Sequence, residues 1–314
     1  MEVAVSLRGR SFISLHEYDT EELHTILRLA SRLKDDLRMG KREPLLNGRT
    51  LGMIFQKSST RTRVSFEAGM TQLGGHALFL SSQDLQLNRG ETVADTARVL
   101  GRYVDAIMAR TYAHADVEQL AQHSGVPVIN GLSDLLHPCQ AMADLLTIQE
   151  KKGRLAGIQL AYVGDSNNVT HSLMQAGARM GMHVRVGSPA GFGPDAEVLS
   201  RARRMAARSG ATIELDEDPV AAVRDADVVY ADTWASMGQE AEREARIEAL
   251  SPYQVNEALL RHASDDVIFM HCLPAHRGEE VTADVIDGPR SAVIDEAENR
   301  LHVQKAILAL LLAA

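Results

Sequence analysis

The residues with the clearest chemical potential are Ser58-Ser59-Thr60-Arg61-Thr62-Arg63, which pack four hydroxyls and two guanidinium groups into six positions. They stand between an apolar run, Leu51-Gly52-Met53-Ile54-Phe55, and a segment with apolar residues at Phe66, Met70 and Leu73. That is the pattern of a strand passing into a helix. A helix start leaves backbone N–H groups without intrahelical acceptors and carries partial positive charge, so it suits an anion such as phosphate. Ser59, Thr60 and Thr62 add hydroxyl donors, and Arg61 and Arg63 bring cations to the same turn. A single Ser-Thr-Arg would read as an N-cap followed by solvated arginines. Doubled hydroxyl-Arg pairs at a strand-to-helix turn favour anion binding instead. The stretch is not a nucleotide P-loop, because no G-x-x-x-x-G-K-[ST] is present.

Other polar groups fall at similar positions. Arg110 directly follows the run Asp105 to Ala109, and the carboxyl end of a parallel strand faces a ligand crevice. His137 and Gln140, three apart where an irregular stretch gives way to a helix, are spaced to address one carbonyl, although His-Pro alone is also a common turn. In the second half, Ala161 to Asn168 reads as a strand and polar loop where a dinucleotide domain would carry glycines. G-x-G-x-x-G is absent, which disfavours nicotinamide and leaves side-chain amides facing the crevice. Asp232 with Thr233, Ser236, Met237 and Gly238 follows the strand Val228 to Ala231, and reads equally as a capped loop with Trp234 as packing. His271-Cys272-Leu273-Pro274 ends the strand Val267 to Met270. A lone cysteine is usually a small buried hydrophobe, whereas beside His271 at a strand end it becomes a candidate for proton transfer. Cys139 and Cys272, far apart and without paired spacing, form no convincing zinc set.

These residues need positioning elements. Strands are predicted at 51–55, 77–80, 106–109, 126–129, 160–163, 184–186, 228–231 and 267–270, and helices at 20–39, 65–73, 92–102, 140–151, 172–181, 195–209 and 298–312. This alternation predicts an α/β fold with mainly parallel sheets flanked by helices. The polar Lys151-Lys152-Gly153-Arg154 suggests a boundary, giving domains at 1–150 and 151–294, with the last helix, about 295–314, packing back on the first. A chain of 314 residues, 45% hydrophobic, is long enough for two cores. The net charge of −9 disfavours nucleic acid and anionic membranes as partners, so a local basic cluster needs a local purpose. The run Ala306 to Ala314 is far short of the roughly 20 residues that cross a bilayer. The opening residues lack a secretory core, so the mature protein is expected to begin there, and two cysteines without a framework fit a reducing cytoplasm.

Taken together, the residues resemble the aspartate/ornithine transcarbamylase family over nearly the whole chain, from Leu7-Arg8-Gly9-Arg10 to Glu296-Ala297-Glu298-Asn299-Arg300. Ser59 to Arg63 and His137 to Gln140 are similar to the family's carbamoyl phosphate motifs. Asp232 with Ser236-Met237-Gly238, and His271 to Pro274, are similar to its ornithine branch. The resemblance implies two α/β domains, the first holding carbamoyl phosphate and the second the amino acid, in a homotrimer or an assembly of trimers. It implies that Ser59, Thr60, Arg61, Thr62, Gln86, Arg110, His137, Gln140 and Arg300 hold carbamoyl phosphate, with Cys272 and Leu273 lining the reacting centre. Asn168, Asp232, Ser236 and Met237 would hold ornithine. Arg110, His137, Asp232 and Cys272 are the expected catalytic residues.

The implied reaction is attack of the uncharged δ-amine of ornithine on carbamoyl phosphate, giving citrulline and phosphate, in arginine biosynthesis or urea-cycle-type metabolism. It needs no metal or organic cofactor. It does need fixed donors for developing negative charge, where losing one costs roughly 100- to 1,000-fold in rate. It also needs an amine deprotonated well below its free pKa of about 10.4. Desolvation on domain closure, with Asp232 and Cys272 accepting or relaying the proton, would serve. Competing expectations are carbamoyl transfer to putrescine or an acylated ornithine, a non-catalytic phosphate-ligand binding protein on the same fold, and a nucleotide-binding oxidoreductase.

Overall fold

The computed structural model describes residues 6–83, 85–234 and 243–313. The chain divides into two compact units, Met1–Leu146 with Asn299–Ala314, and Thr147–Glu298. The first unit runs α1 (Thr20–Arg38), β1 (Thr50–Phe55), α2 (Thr60–Gln72), β2 (His76–Ser81), α3 (Val93–Leu100), β3 (Ala106–Arg110), α4 (His114–Ser124) and β4 (Val128–Leu132), and α5 (Pro138–Lys152) carries the chain onward. The second continues with β5 (Gln159–Val163), α6 (Asn168–Met180), β6 (His183–Gly187), α7 (Ala196–Ser209), β7 (Ile213–Asp216), α8 (Pro219–Val223) and β8 (Val228–Ala231). It is completed by α9 (Arg243–Leu250), α10 (Glu257–Leu260), β9 (Ile268–Met270) and α11 (Ala283–Ile286), before α12 (Val293–Leu312) returns the chain to the first unit.

Each unit is built on a wholly parallel sheet. The first has the strand order β2-β1-β3-β4 and the second β7-β6-β5-β8-β9. Central strands covered by helices on both faces must be apolar throughout. Accordingly Leu51, Met53 and Ile54 of β1, Ala106 to Ala109 of β3 and Val228 to Ala231 of β8 are buried. In the first unit Ile54, Ile107, Ala109 and Val128 pack with Val117 and Leu120 of α4. In the second, Ala161, Val163, Val229 and Phe269 pack with Leu259, Val285 and Ile286 from the helices beyond.

The strand order fixes where ligands can bind. In the first sheet the chain winds from β1 outward to β2, then crosses back to β3 on the other side of β1. In the second it winds from β5 through β6 to β7, then crosses back to β8. The loops leaving β1 and β3 therefore diverge, as do those leaving β5 and β8, and each divergence opens a crevice at the carboxyl ends of the strands. The register sets Phe55 beside Arg110 in one sheet and Val163 beside Ala231 in the other. The anion-binding candidates follow the first pair, and the amide and carboxylate candidates follow the second.

Some elements depart from the sequence reading. Helix α2 begins at Thr60 rather than Ser65, because its first turn is polar and carries no apolar periodicity. Helix α6 begins at Asn168 rather than Ser172, for its start is set by an Asn167 cap. Strand β7 escaped notice because it lies at a sheet edge with Glu214, Leu215 and Asp216 exposed, and α4 because only Val117, Leu120 and Ser124 along it are buried. Among the described residues, no helix is long and apolar enough to cross a membrane.

Candidate active site

In the first unit, Ser59 caps α2, its Oγ accepting the Thr62 backbone N–H at 3.2 Å. Capping draws the chain into the helix so that the whole Ser-Thr-Arg-Thr segment forms its first turn. Thr62 is fully buried, and its hydroxyl accepts a hydrogen bond from Arg300 Nη2 at 2.9 Å. The other arm of the Arg300 fork, Nη1, donates to Gln140 Oε1 at 2.9 Å, while Gln140 Nε2 donates to Asp144 Oδ1 at 2.8 Å. The guanidinium of Arg300, a residue only 3% exposed, is thus held in one orientation by partners from α2 and α5. Arg300 itself comes from α12, more than two hundred residues along the chain from Thr62. Asn299 beside it accepts from the buried Lys34 Nζ of α1 at 2.6 Å, which pins this part of α12.

His137, at the mouth of α5, shares this environment. Burial, together with the positive charges of Arg300, Arg110 and Arg61, drives its pKa well below the ordinary histidine value. The imidazole is therefore neutral around pH 7, able to hydrogen bond without adding charge. Three of the expected arginines and His137 thus lie within one electrostatic neighbourhood. Lys57 joins them, its pKa lowered by burial and by Arg110 against the opposing pull of Asp134, with its ammonium 4.6 Å from the Tyr112 ring centroid. Lys57 was missed in the sequence because a single lysine ahead of a serine pair carries no spacing signal.

Not every candidate joins the cluster. Arg63 turns to the outer face of α2, where its guanidinium lies 3.8 Å from the Phe79 ring centroid and pairs with Glu67 at 3.0 Å. Two residues along the helix from Arg61, it occupies a different face, so the expected pairing of Arg61 with Arg63 is not formed, and the guanidinium groups that share the surroundings of His137 with Arg61 are those of Arg110 and Arg300. Thr60 is exposed on the first turn. Gln86 is exposed at the start of the 3-10 turn Gln86–Arg89, after β2. Cys139 is a buried packing residue, with Sγ 3.4 Å from the Asn130 carbonyl and burial pushing its pKa up to about 12.

In the second unit, Gly164 ends β5 at φ +126°, a conformation that side-chain-bearing residues rarely adopt, and an added Cβ would stand 3.3 Å from the Trp234 indole nitrogen. The chain then enters Asn167, which caps α6: its Oδ1 accepts the N–H groups of Val169 and Thr170. This cap leaves Asn167 Nδ2 to donate to Asp232 Oδ2 at 2.7 Å. Asp232 Oδ1 accepts the Thr233 backbone N–H at 2.8 Å and the Cys272 thiol at 3.1 Å. A single carboxylate at the end of β8 thus ties the loop after β5 to the loop after β9. Asn168, half-buried at the first turn of α6, is on the same loop, and Leu273 follows Cys272 with its backbone at φ +59°. Ser236 and Met237 lie outside the described residues.

Two contacts here were not anticipated. Asn167, for which no individual role was expected, holds Asp232; an Asn three residues ahead of a Thr at a helix start is the sequence trace of such a cap. Arg246 of α9 pairs with Asp165 and donates from Nε to the Trp234 carbonyl at 2.6 Å. Burial still pushes the Asp165 pKa up to about 6, with Arg246 opposing the rise. Potential ligand atoms of Asp232, His271 and Cys272 lie within 4.8 Å of one another. However, both imidazole nitrogens of His271 are engaged, one with the Leu273 N–H and one with Glu280.

The fold and these two clusters define a class: a protein of two α/β units, each on a parallel sheet, with an arginine-rich cluster at one topological switch point and a polar, carboxylate-centred cluster at the other. Residues 10–150 match the carbamoyl-P binding domain of aspartate/ornithine carbamoyltransferase, and residues 156–311 match its Asp/Orn binding domain. The chain belongs to the aspartate/ornithine carbamoyltransferase family. It is 63% identical to the ornithine carbamoyltransferase of Pyrococcus horikoshii over 99% of this chain and 98% of that protein. The solved structure of ornithine carbamoyltransferase from Pyrococcus furiosus superposes with a TM-score of 0.96 at 61% identity, covering 98% of this chain and 99% of the other. That from Gloeobacter violaceus gives 0.88 at 48%, covering 98% and 100%.

Proposed function

We infer that the protein transfers the carbamoyl group of carbamoyl phosphate to the δ-amine of L-ornithine, forming L-citrulline and phosphate. The observation that carries this reading is the buried Arg300 fork, bonded to both Thr62 and Gln140, beside Arg61, Arg110 and a neutral His137. Such a set offers a dianionic phosphate matched charge, and a carbonyl oxygen donors that need not reorganise as negative charge grows. Its likeness to relatives named ornithine carbamoyltransferase supports ornithine as the acceptor.

The division of labour is proposed as follows. Residues 1–150 with the helix at 295–314 bind carbamoyl phosphate through Ser59, Thr60, Arg61, Thr62, Gln86, Arg110, His137, Gln140 and Arg300. Residues 151–294 bind ornithine through Asn168, Asp232, Ser236 and Met237. Cys272 and Leu273 line the reacting centre, where Asp232 and the Cys272 thiol, already hydrogen bonded, accept or relay the proton that the amine must lose. Arg110 and His137 stabilise the tetrahedral intermediate. The family resemblance supports a homotrimer or an assembly of trimers, and the free thiols of Cys139 and Cys272 are consistent with a reducing cytoplasm.

The test is citrulline or ureido-product formation from carbamoyl phosphate, with ornithine, putrescine, N-acetylornithine and aspartate offered in parallel. A strong preference for ornithine is expected. Turnover of none of the four would overturn the catalytic reading, and sedimentation of the purified protein decides the trimer.

A further inference from the structure

The Cys272–Leu273 segment is held by carboxylates that the proposed chemistry does not use. His271, fully buried at the end of β9, donates its backbone N–H to Glu296 Oε2 at 2.9 Å, and Glu296 Oε1 accepts the buried Tyr230 hydroxyl at 3.0 Å. The His271 ring spans the other side. Its Nδ1 accepts the Leu273 backbone N–H at 2.8 Å, and its Nε2 lies 3.2 Å from Oε1 of the fully buried Glu280. The same Glu280 oxygen accepts the His276 backbone N–H at 2.6 Å, closing the loop between His271 and Glu280 on itself.

This arrangement has one consistent proton placement. A nitrogen that accepts an N–H cannot carry a proton, so Nδ1 is bare, the ring is neutral and its proton sits on Nε2, donated to Glu280. Burial raises the Glu280 pKa, but hydrogen bonds from His271 and from the His276 backbone outweigh it, and the carboxyl is held below its ordinary value. The arrangement fixes a strained backbone. Leu273 occupies the left-handed region at φ +59°, which its Cβ disfavours, and its N–H is secured there by the His271 ring.

We propose that Glu280 is a positioning residue for carbamoyl transfer: by fixing the Nε2–H tautomer of His271, it holds the Leu273 backbone, and with it Cys272, in place against Asp232. The inference rests on the proposed function, in which Cys272 and Leu273 line the reacting centre. Without the carboxylate, the proton is free to move to Nδ1 or the ring to turn, and Nδ1 no longer accepts the Leu273 N–H. Displacing reacting groups by about an ångström lowers turnover by about 10- to 100-fold, and the reduction is expected in kcat more than in the KM for carbamoyl phosphate.

The experiment compares full-length wild type with Glu280→Ala and Glu280→Gln. Glutamine can place its amide oxygen where Oε1 accepts both donors, so it is expected to keep kcat within about threefold, while alanine loses about tenfold or more. A second readout uses a thiol reagent: Cys139 is fully buried and Cys272 half-buried, so the fast-labelling thiol reports the segment. Its labelling is expected to quicken in Glu280→Ala and to match wild type in Glu280→Gln. A third is the imidazole nitrogen spectrum of wild type, where His271 should show a protonated Nε2 and a bare Nδ1. If alanine leaves both kcat and labelling at wild-type values, if glutamine is as impaired as alanine, or if Nδ1 carries the proton, the proposal is overturned. Should Glu280→Ala not fold, the glutamine variant and the nitrogen spectrum decide it. Should wild type form no citrulline, it is the function that fails, while labelling and the spectrum still judge the tautomer lock.

Discussion

Replacing Asp232 by asparagine removes a charge while keeping the side-chain shape, and the surrounding hydrogen bonds allow its effects to be worked out. Asp232 accepts from three donors: Thr233 N–H and the Cys272 thiol on one oxygen, and Asn167 Nδ2 on the other. Asparagine has one accepting oxygen. If it satisfies Thr233 and Cys272, its amide faces the amide of Asn167, donor against donor. Asn167 cannot turn over to relieve the conflict, because its Oδ1 already caps α6 by accepting from Val169 and Thr170. An unsatisfied buried group of this kind costs about 1–3 kcal/mol, which in a unit of this size lowers the melting midpoint by roughly 2–12 °C. The reciprocal change Asn167→Asp caps the helix equally well and offers an acceptor to the new amide. The double variant should therefore recover most of the lost midpoint. Turnover should not recover, since the carboxylate has moved from the end of β8 to the start of α6. Loss of a proton acceptor at the amine predicts a fall of about 100-fold or more in kcat for Asp232→Asn and for the double variant alike. Scanning calorimetry and citrulline formation read the two effects separately. Near-wild-type turnover of ornithine by Asp232→Asn would refute Asp232 as part of the chemistry. Failure of the double variant to regain stability would refute the hydrogen-bond polarity assigned to the pair.

Further predictions concern single groups. Arg300→Lys keeps the charge but cannot address Thr62 and Gln140 together, so it forfeits a charge-assisted hydrogen bond of about 1.5–3 kcal/mol; carbamoyl phosphate affinity should fall roughly 10- to 150-fold, measured by calorimetric titration. An unchanged dissociation constant would remove Arg300 from the site. His137 has a folded pKa depressed below its unfolded value, so its contribution to stability is present above about pH 6.5 and lost as pH falls below that; urea unfolding from pH 8 to 5 should show this loss in wild type and not in His137→Gln. Parallel profiles would contradict a buried neutral imidazole. Asp165 behaves oppositely, its carboxyl raised from 3.8 to about 6, so the stability it confers is present at acid pH and lost as pH rises through about 6. Removing the opposing guanidinium in Arg246→Ala should extend that loss to higher pH, and unfolding curves that differ from wild type by a pH-independent offset would count against it.

How much of this was legible beforehand differs from residue to residue. The parallel α/β class was written in the alternation of apolar runs such as Ala106 to Ala109 with helical patterns, since strands buried on both faces leave no other composition open to them. The helix start at Ser59 to Thr62 was legible as a capped, cation-bearing turn, because a hydroxyl cap and a cation at a strand-to-helix turn are local features. Edge elements such as β7 were not legible, for an exposed strand carries little apolar signal. Arg63 groups with Arg61 on the expectation that the helix starts only at Ser65; with α2 starting at Thr60, two positions along the helix part them, and Arg63 lies over the Phe79 ring.

The sequence by itself determined the family, the class of fold and the chemical types gathered at the strand ends, because these depend on local pattern and on motifs read along the chain. Only the tertiary fold brings Arg300 to Thr62 and Gln140, Asn167 to Asp232, and Glu280 to the His271 ring. Each of those depends on which strands lie adjacent and on which side chains are denied water. Burial turns a hydrogen-bond donor or acceptor into a group that must find a partner, and the partner is chosen by the fold rather than by distance along the chain.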